Sequence, residues 1–156
     1  MPRQFDEEEI WEQYRYIDWY VDDLSYAKKR FFNVPKIKIK NDFAKNVIEV
    51  SDELRFTPPV LFDKYFAIFI EFVMTHHHNS DDSNEVASCF TTLLKEKLDT
   101  KIINQQSVIT EALIAVEFLK ENLSFFNNLP DIYGDLAPEL QTVKQKLLNY
   151  QIKKSN

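Results

Sequence analysis

Glycine occurs once in the 156 residues, at Gly134, cysteine once, at Cys89, and histidine only in the run His76-His77-His78. One glycine leaves no material for a glycine-rich phosphate loop, whose backbone needs several residues without a Cβ. It also argues against a turn-rich all-β fold. One cysteine cannot close an internal disulfide, and no apolar run follows a basic N-terminus, so no signal peptide is expected. Both points fit a reducing intracellular compartment, nuclear or cytoplasmic. Positive charge is in deficit, with 19 Lys and Arg against 25 Asp and Glu and a net charge of −6. That balance argues against general binding to nucleic acid.

Catalytic constellations are missing as well. There is no HExxH, no spaced set of Cys and His, and no serine with a His and Asp in plausible order. The three histidines precede Asp81 and Asp82, but adjacent residues do not share a helix face and structural zinc sites need spaced ligands. A solvated loop is the expectation there. The reading is therefore non-enzymatic, with no catalytic, cofactor-binding or metal residue assigned and no cofactor implied.

Aromatic side chains are abundant, with 13 Phe, 7 Tyr and 2 Trp. Six of them fall in the apolar stretch Arg55–Met74, where Asp63, Lys64 and Glu71 are the only charges after Arg55. Thr57 reads as an N-cap and Pro58 as the first helical residue, giving a central helix over 58–75. It is apolar on most faces and so expected to be buried, with Phe69 in the middle of the core. Three charges within the run argue against a membrane span, which takes about 20 nearly uncharged residues.

The other elements arrange around it in one all-α domain over 1–156. Asp6 and Glu9 form a capping-box pattern, and Ile10, Tyr14, Ile17, Val21 and Leu24 recur at helical spacing. They predict one long N-terminal helix over 6–31. Residues 32–41 read as a connector, because Pro35 interrupts and Lys36-Ile-Lys-Ile-Lys40 alternates with period two. Further helices are expected at 42–54, 85–98, 107–126 and 137–152, so the helical core covers 42–152.

Residues 42–152 resemble the cyclin box, a five-helix bundle around a buried helix with an outer N-terminal helix. Ala44–Pro59 is similar to the first box helix and its proline-marked passage into the second. Tyr65–Phe69 sits where cyclins carry a Tyr/Phe-Asp-Arg-Phe segment, and Ala67 and Ile68 stand at the Asp-Arg positions. Ala87–Lys95 looks like the third helix, and the resemblance makes Lys95 the kinase-contacting lysine. Cyclins pair that lysine with a glutamate on the fifth helix. Here Val143 and Lys144 stand near that place, or Glu117 if 107–126 is taken as the fifth helix.

The resemblance implies a regulatory subunit that docks on a protein kinase. The alternative is a helical adaptor or assembly subunit of a larger intracellular complex. Either way the partner is a protein. Two features suggest where it binds. The first helix carries more aromatics than one face can bury, and Trp11, Tyr16, Trp19 and Tyr20 are of types enriched at interface hot spots. Lys36, Lys38 and Lys40 lie in a basic stretch from Lys28 to Lys45 that could meet an acidic partner. These seven residues and Lys95 are the expected partner-binding set.

Overall fold

The computed structural model describes residues 6–14 and 21–152. Among them are ten helices and no strand. In order they are α1 (Glu7–Tyr14), α2 (Val21–Phe31), α3 (Lys36–Lys45), α4 (Val47–Arg55), α5 (Pro59–Thr75), α6 (Ser83–Asp99), α7 (Gln106–Glu121), α8 (Leu123–Phe126), α9 (Pro130–Tyr133) and α10 (Leu136–Leu148).

α5 is the centre, as its composition requires. Phe62, Phe66, Phe69, Phe72 and Val73 are fully enclosed. Phe69 stacks on Phe43 of α3 at a centroid distance of 4.4 Å and meets Phe90 of α6 edge-on at 5.5 Å. Phe66 stacks on Phe90 at 5.5 Å. Each buried Phe contributes roughly 1.5–3 kcal/mol, so this aromatic column binds α3, α5 and α6 together. α7 packs along the same helix, and α10 covers α6 and α7.

The passage into α5 differs from the expected cap. Pro58 occupies the N-cap position. Thr57 Oγ1 instead donates to the Leu54 carbonyl at 2.9 Å. Thr57 is buried, and its hydroxyl joins its own amide on the Leu54 carbonyl at the end of α4, a use the sequence pattern does not reveal.

The N-terminal part departs further. Trp11 and Phe31 both pack on Tyr65, at centroid distances of 6.3 and 5.1 Å. Twenty residues of unbroken helix would separate them by about 30 Å. One straight helix over 6–31 is therefore excluded, and the chain brings α1 and α2 against the same side of α5. Residues 15–20, between these helices, lie outside the described residues. The expected cap at the start holds, since the Glu9 amide donates to Asp6 Oδ1 at 2.9 Å.

The expected connector over 32–41 is mostly helix. Alternation in Lys36–Lys40 is equally compatible with a helix that buries one isoleucine only. Ile37 is 67% exposed and Ile39 1% exposed. Ile39 and Phe43, four apart, form the buried face. The expected helix over 42–54 is divided at Asn46, whose φ of −158° leaves helical geometry. Its side chain accepts from the Glu49 amide at 3.1 Å and starts α4.

Asp63 is the other surprise. Its place beside Lys64 suggests a solvent-facing charge, yet it is only 2% exposed. Oδ2 accepts from the Asn104 and Gln105 amides at 2.9 and 2.6 Å. Asp63 thus satisfies two N–H groups at the start of α7, from a different helix. Burial pushes its carboxyl above its ordinary value, against the lowering effect of those two amides. The helix expected over 107–126 breaks at Asn122, whose side chain donates to the Phe118 carbonyl at 2.8 Å.

Candidate interaction surface

The aromatic first helix does not offer Trp11 to a partner. Its ring is 1% exposed, and its Nε1 donates to Glu7 at 3.1 Å. Glu7 also accepts from Lys64 Nζ at 2.6 Å and from the Tyr65 hydroxyl. Burial alone would raise the Glu7 carboxyl, but the bonds from Lys64, Tyr65 and Trp11 outweigh it and hold it low. Burial and the facing Glu7 push Tyr65 up. This cluster fastens α1 to α5, so Trp11 serves the core. Tyr16, Trp19 and Tyr20 lie outside the described residues.

The basic stretch is largely neutralised within the molecule. Lys36 and Lys40 both reach Glu71 of α5, at 3.0 and 2.8 Å. Lys38 meets Asp42 at 3.0 Å, and Arg30 bridges Asp42 at 3.0 Å and Glu53 at 2.6 Å. Lys28 meets Glu12 at 2.9 Å. Burial would raise Asp42, but Lys38 and Arg30 hold it below its ordinary value. Lys40 and Lys36 do the same for Glu71. The expected row of free cations is thus paired within the molecule: Lys36 and Lys40 staple α3 to α5, and Lys38 meets Asp42 one turn on in α3. The i,i+4 spacing of Lys38 and Asp42 fits a helix pair, whereas nothing in the chain's spacing points from Lys36 and Lys40 to Glu71.

Lys95 stands differently. It lies on the outer side of α6 and faces Glu139 of α10 at 3.7 Å, both side chains well exposed. Glu117 pairs instead with Lys144 at 2.7 Å. Two grooves flank the outer face of α6. One, of about 280 Å³, runs against α4 and includes Ile48, Arg55, Cys89 and Thr92. The other, of about 310 Å³, runs against α9 and α10 and includes Thr92, Tyr133, Leu136 and Glu139. Exposed apolar side chains stand beside both: Ile48 on α4, and Ile132 and Tyr133 on α9. Burial raises the Cys89 thiol, which does not suit a nucleophile.

The histidine run closes α5. His78 is half-buried, with Nε2 3.0 Å from the Val73 carbonyl and its ring against Phe72 and Phe126. His76 stacks on Phe72 while staying exposed. The expected solvated loop therefore holds for His76 and His77 and not for His78. Burial holds the His78 imidazole below its ordinary value. Among the described residues, no group of three His, Cys, Asp or Glu side chains is placed to hold a metal ion. No described helix is long and apolar enough to cross a membrane.

No family model, no curated protein and no solved structure matches this chain.

Proposed function

We propose that this chain is a non-enzymatic protein-interaction module, a helical adaptor or assembly subunit that docks through the outer face of α6. One observation carries the reading. Lys95, Glu139, Ile48 and Tyr133 are presented on helices beside two open grooves, while Trp11, Phe31, Phe43, Arg30, Lys36 and Lys40 are engaged within the fold. Interfaces combine apolar anchors with a polar rim, and this face has both.

A narrower reading is a cyclin-like regulatory subunit whose partner is a protein kinase. The Lys95–Glu139 pair supports it, because α6 and α10 are the third and fifth box helices in the order the resemblance assigns, the two that carry the family's lysine and glutamate, with Glu139 one turn before the Val143–Lys144 place expected for the glutamate. Affinity purification from the cells that make the protein tests both readings. The wild type brings down a stoichiometric protein partner, and Lys95→Glu weakens its capture. A kinase as that partner favours the narrower reading, and a scaffold assembly the broader one. Substrate turnover by the isolated chain, with no stoichiometric partner, contradicts both.

A further inference from the structure

We propose that the α9 end of the module docks a basic, amphipathic segment of its protein partner; this rests on the interaction-module reading. α9 is one helical turn and leaves its apolar residues outward. Leu129 is 41% exposed, Ile132 71% and Tyr133 38%. Tyr133 also lines the groove against α6, together with Ser88, Thr91, Thr92 and Leu136. An apolar cluster of this kind next to an open groove is suited to receive the apolar face of a helix or strand.

The apolar turn is held in place before any partner arrives. Ser83 Oγ donates to the Phe125 carbonyl at 2.7 Å, and Asn84 Nδ2 donates to Asn128 Oδ1 at 2.7 Å. Asn84 Oδ1 accepts from the Leu129 amide at 3.0 Å. Ser83 and Asn84 are enclosed, so these bonds fix the chain that leads into Pro130. Asn127 closes the other side, donating to the Gly134 carbonyl at 2.9 Å and accepting from the Leu136 amide at 2.9 Å. The one glycine of the chain allows the turn, with φ of +79° and ψ of 179°, a region closed to residues with a Cβ. A preordered surface loses less entropy on binding.

Charge names the occupant. No Lys or Arg occurs over 65–94 or over 121–143. The bonds just described bring residues 80–84 and 125–129 from these two stretches together. Asp81, Asp82, Glu85, Asp131 and Asp135 have no ion pair among the described residues, and Glu139 meets Lys95 at 3.7 Å; Glu71, paired with Lys36 and Lys40, lies on α5. The field around the apolar turn is therefore negative. It repels nucleic acid and anionic lipid and attracts lysines and arginines that flank apolar anchors.

The probe is a short helical peptide of leucine and lysine at amphipathic spacing, with a leucine–glutamate peptide of the same pattern as control. Binding to the full chain is followed by amide NMR shifts. The lysine peptide shifts amides over 88–92 and 129–136, and its affinity falls as salt rises. Ile132→Ser with Tyr133→Ser weakens it about tenfold or more, as for loss of an apolar hot spot. Ile132→Lys, which repels the probe and leaves the core untouched, does the same. Shifts that map elsewhere, equal binding of the glutamate peptide, or unchanged affinity in both variants overturns the proposal. Retention of the cellular protein partner by Ile132→Lys overturns it too, and leaves the interaction-module reading standing.

Discussion

The basic segment over 28–45 and the acidic end formed by 79–85 and 128–135 are both dense in charge of one sign, yet the fold treats them in opposite ways. In the first, Lys28, Arg30, Lys36, Lys38 and Lys40 all meet carboxylates, most of them on other helices. In the second, Asp81, Asp82, Asp131 and Asp135 meet no cation among the described residues. A charge run in a sequence shows that ions are present. Whether they are available to a partner depends on what the fold sets opposite them. Most of the basic segment is spent internally on holding α2 and α3 to their neighbours, with Lys29 and Lys45 left exposed, whereas the four aspartates of the acidic end are all unmatched by a cation among the described residues.

The largest effect that sharpens this contrast is expected at Arg30. Its side chain is 23% exposed and sits between Asp42, 9% exposed, and Glu53, 14% exposed. Arg30→Ala leaves Glu53 without its cation and Asp42 with Lys38 alone, and about 2–3 kcal/mol of stability is lost, somewhat below a fully buried pair. Urea unfolding monitored by helix content measures it. A change below about 0.5 kcal/mol, typical of solvated positions, would place Arg30 with the acidic end in behaviour.

Asp63 comes next, as a carboxylate that is enclosed yet lacks a cation. Asp63→Ala leaves the Asn104 and Gln105 amides open, at a cost of about 1–2 kcal/mol. Asp63→Asn, which keeps one acceptor oxygen, loses less. Equal unfolding midpoints for the two variants would mean that the α7 start needs no acceptor from α5.

A smaller effect is expected from pH. Glu7, Asp42 and Glu71 all lie below their ordinary values of 4.5, 3.8 and 4.5 in the fold. The unfolded chain then binds more protons, so their stabilisation is present above those values and is lost as pH falls through the folded ones. Acid should therefore loosen α1 and α3 from α5 before the Phe66–Phe90 core opens. Trp11 emission in a Trp19→Phe background reports the first event, and far-ultraviolet helix signal the second. Coincident transitions would remove the distinction between a stapled N-terminal side and the core.

Much of the core was legible because it depends on composition over many residues. A helix with Phe, Ile and Val on most faces has only the interior to go to, and Phe69 is fully enclosed as expected. The start of α1 also follows a short-range signal, since Asp6 caps the Glu9 amide three residues on, whereas the cap at Asn46 divides what the apolar spacing joins into one helix over 42–54. What was not legible depends on matches distant in sequence. Trp11 is buried because Tyr65 lies opposite, 54 positions later. Asp63 is inside because the start of α7 needs acceptors. Lys36–Lys40 alternate with period two, and five residues do not separate a strand from a helix that shows one isoleucine outward. Lys95 was singled out by resemblance alone, and Glu139 opposite it became apparent only when α6 and α10 were packed together.

The most direct measurement is charge reversal of Lys36, Lys38 and Lys40 together to Glu, beside Asp81→Asn with Asp131→Asn as the matched change at the acidic end. Unfolding free energy is measured for both. The reversal sets glutamates against Glu71 and Asp42, and roughly 1–2 kcal/mol is expected to be lost after solvent screening. A second reversal, Glu71→Lys, should restore part of that loss. The acidic-end pair should stay within about 0.5 kcal/mol of wild type. A triple reversal as stable as wild type, with or without Glu71→Lys, would contradict the account and return the basic segment to the surface available for a partner.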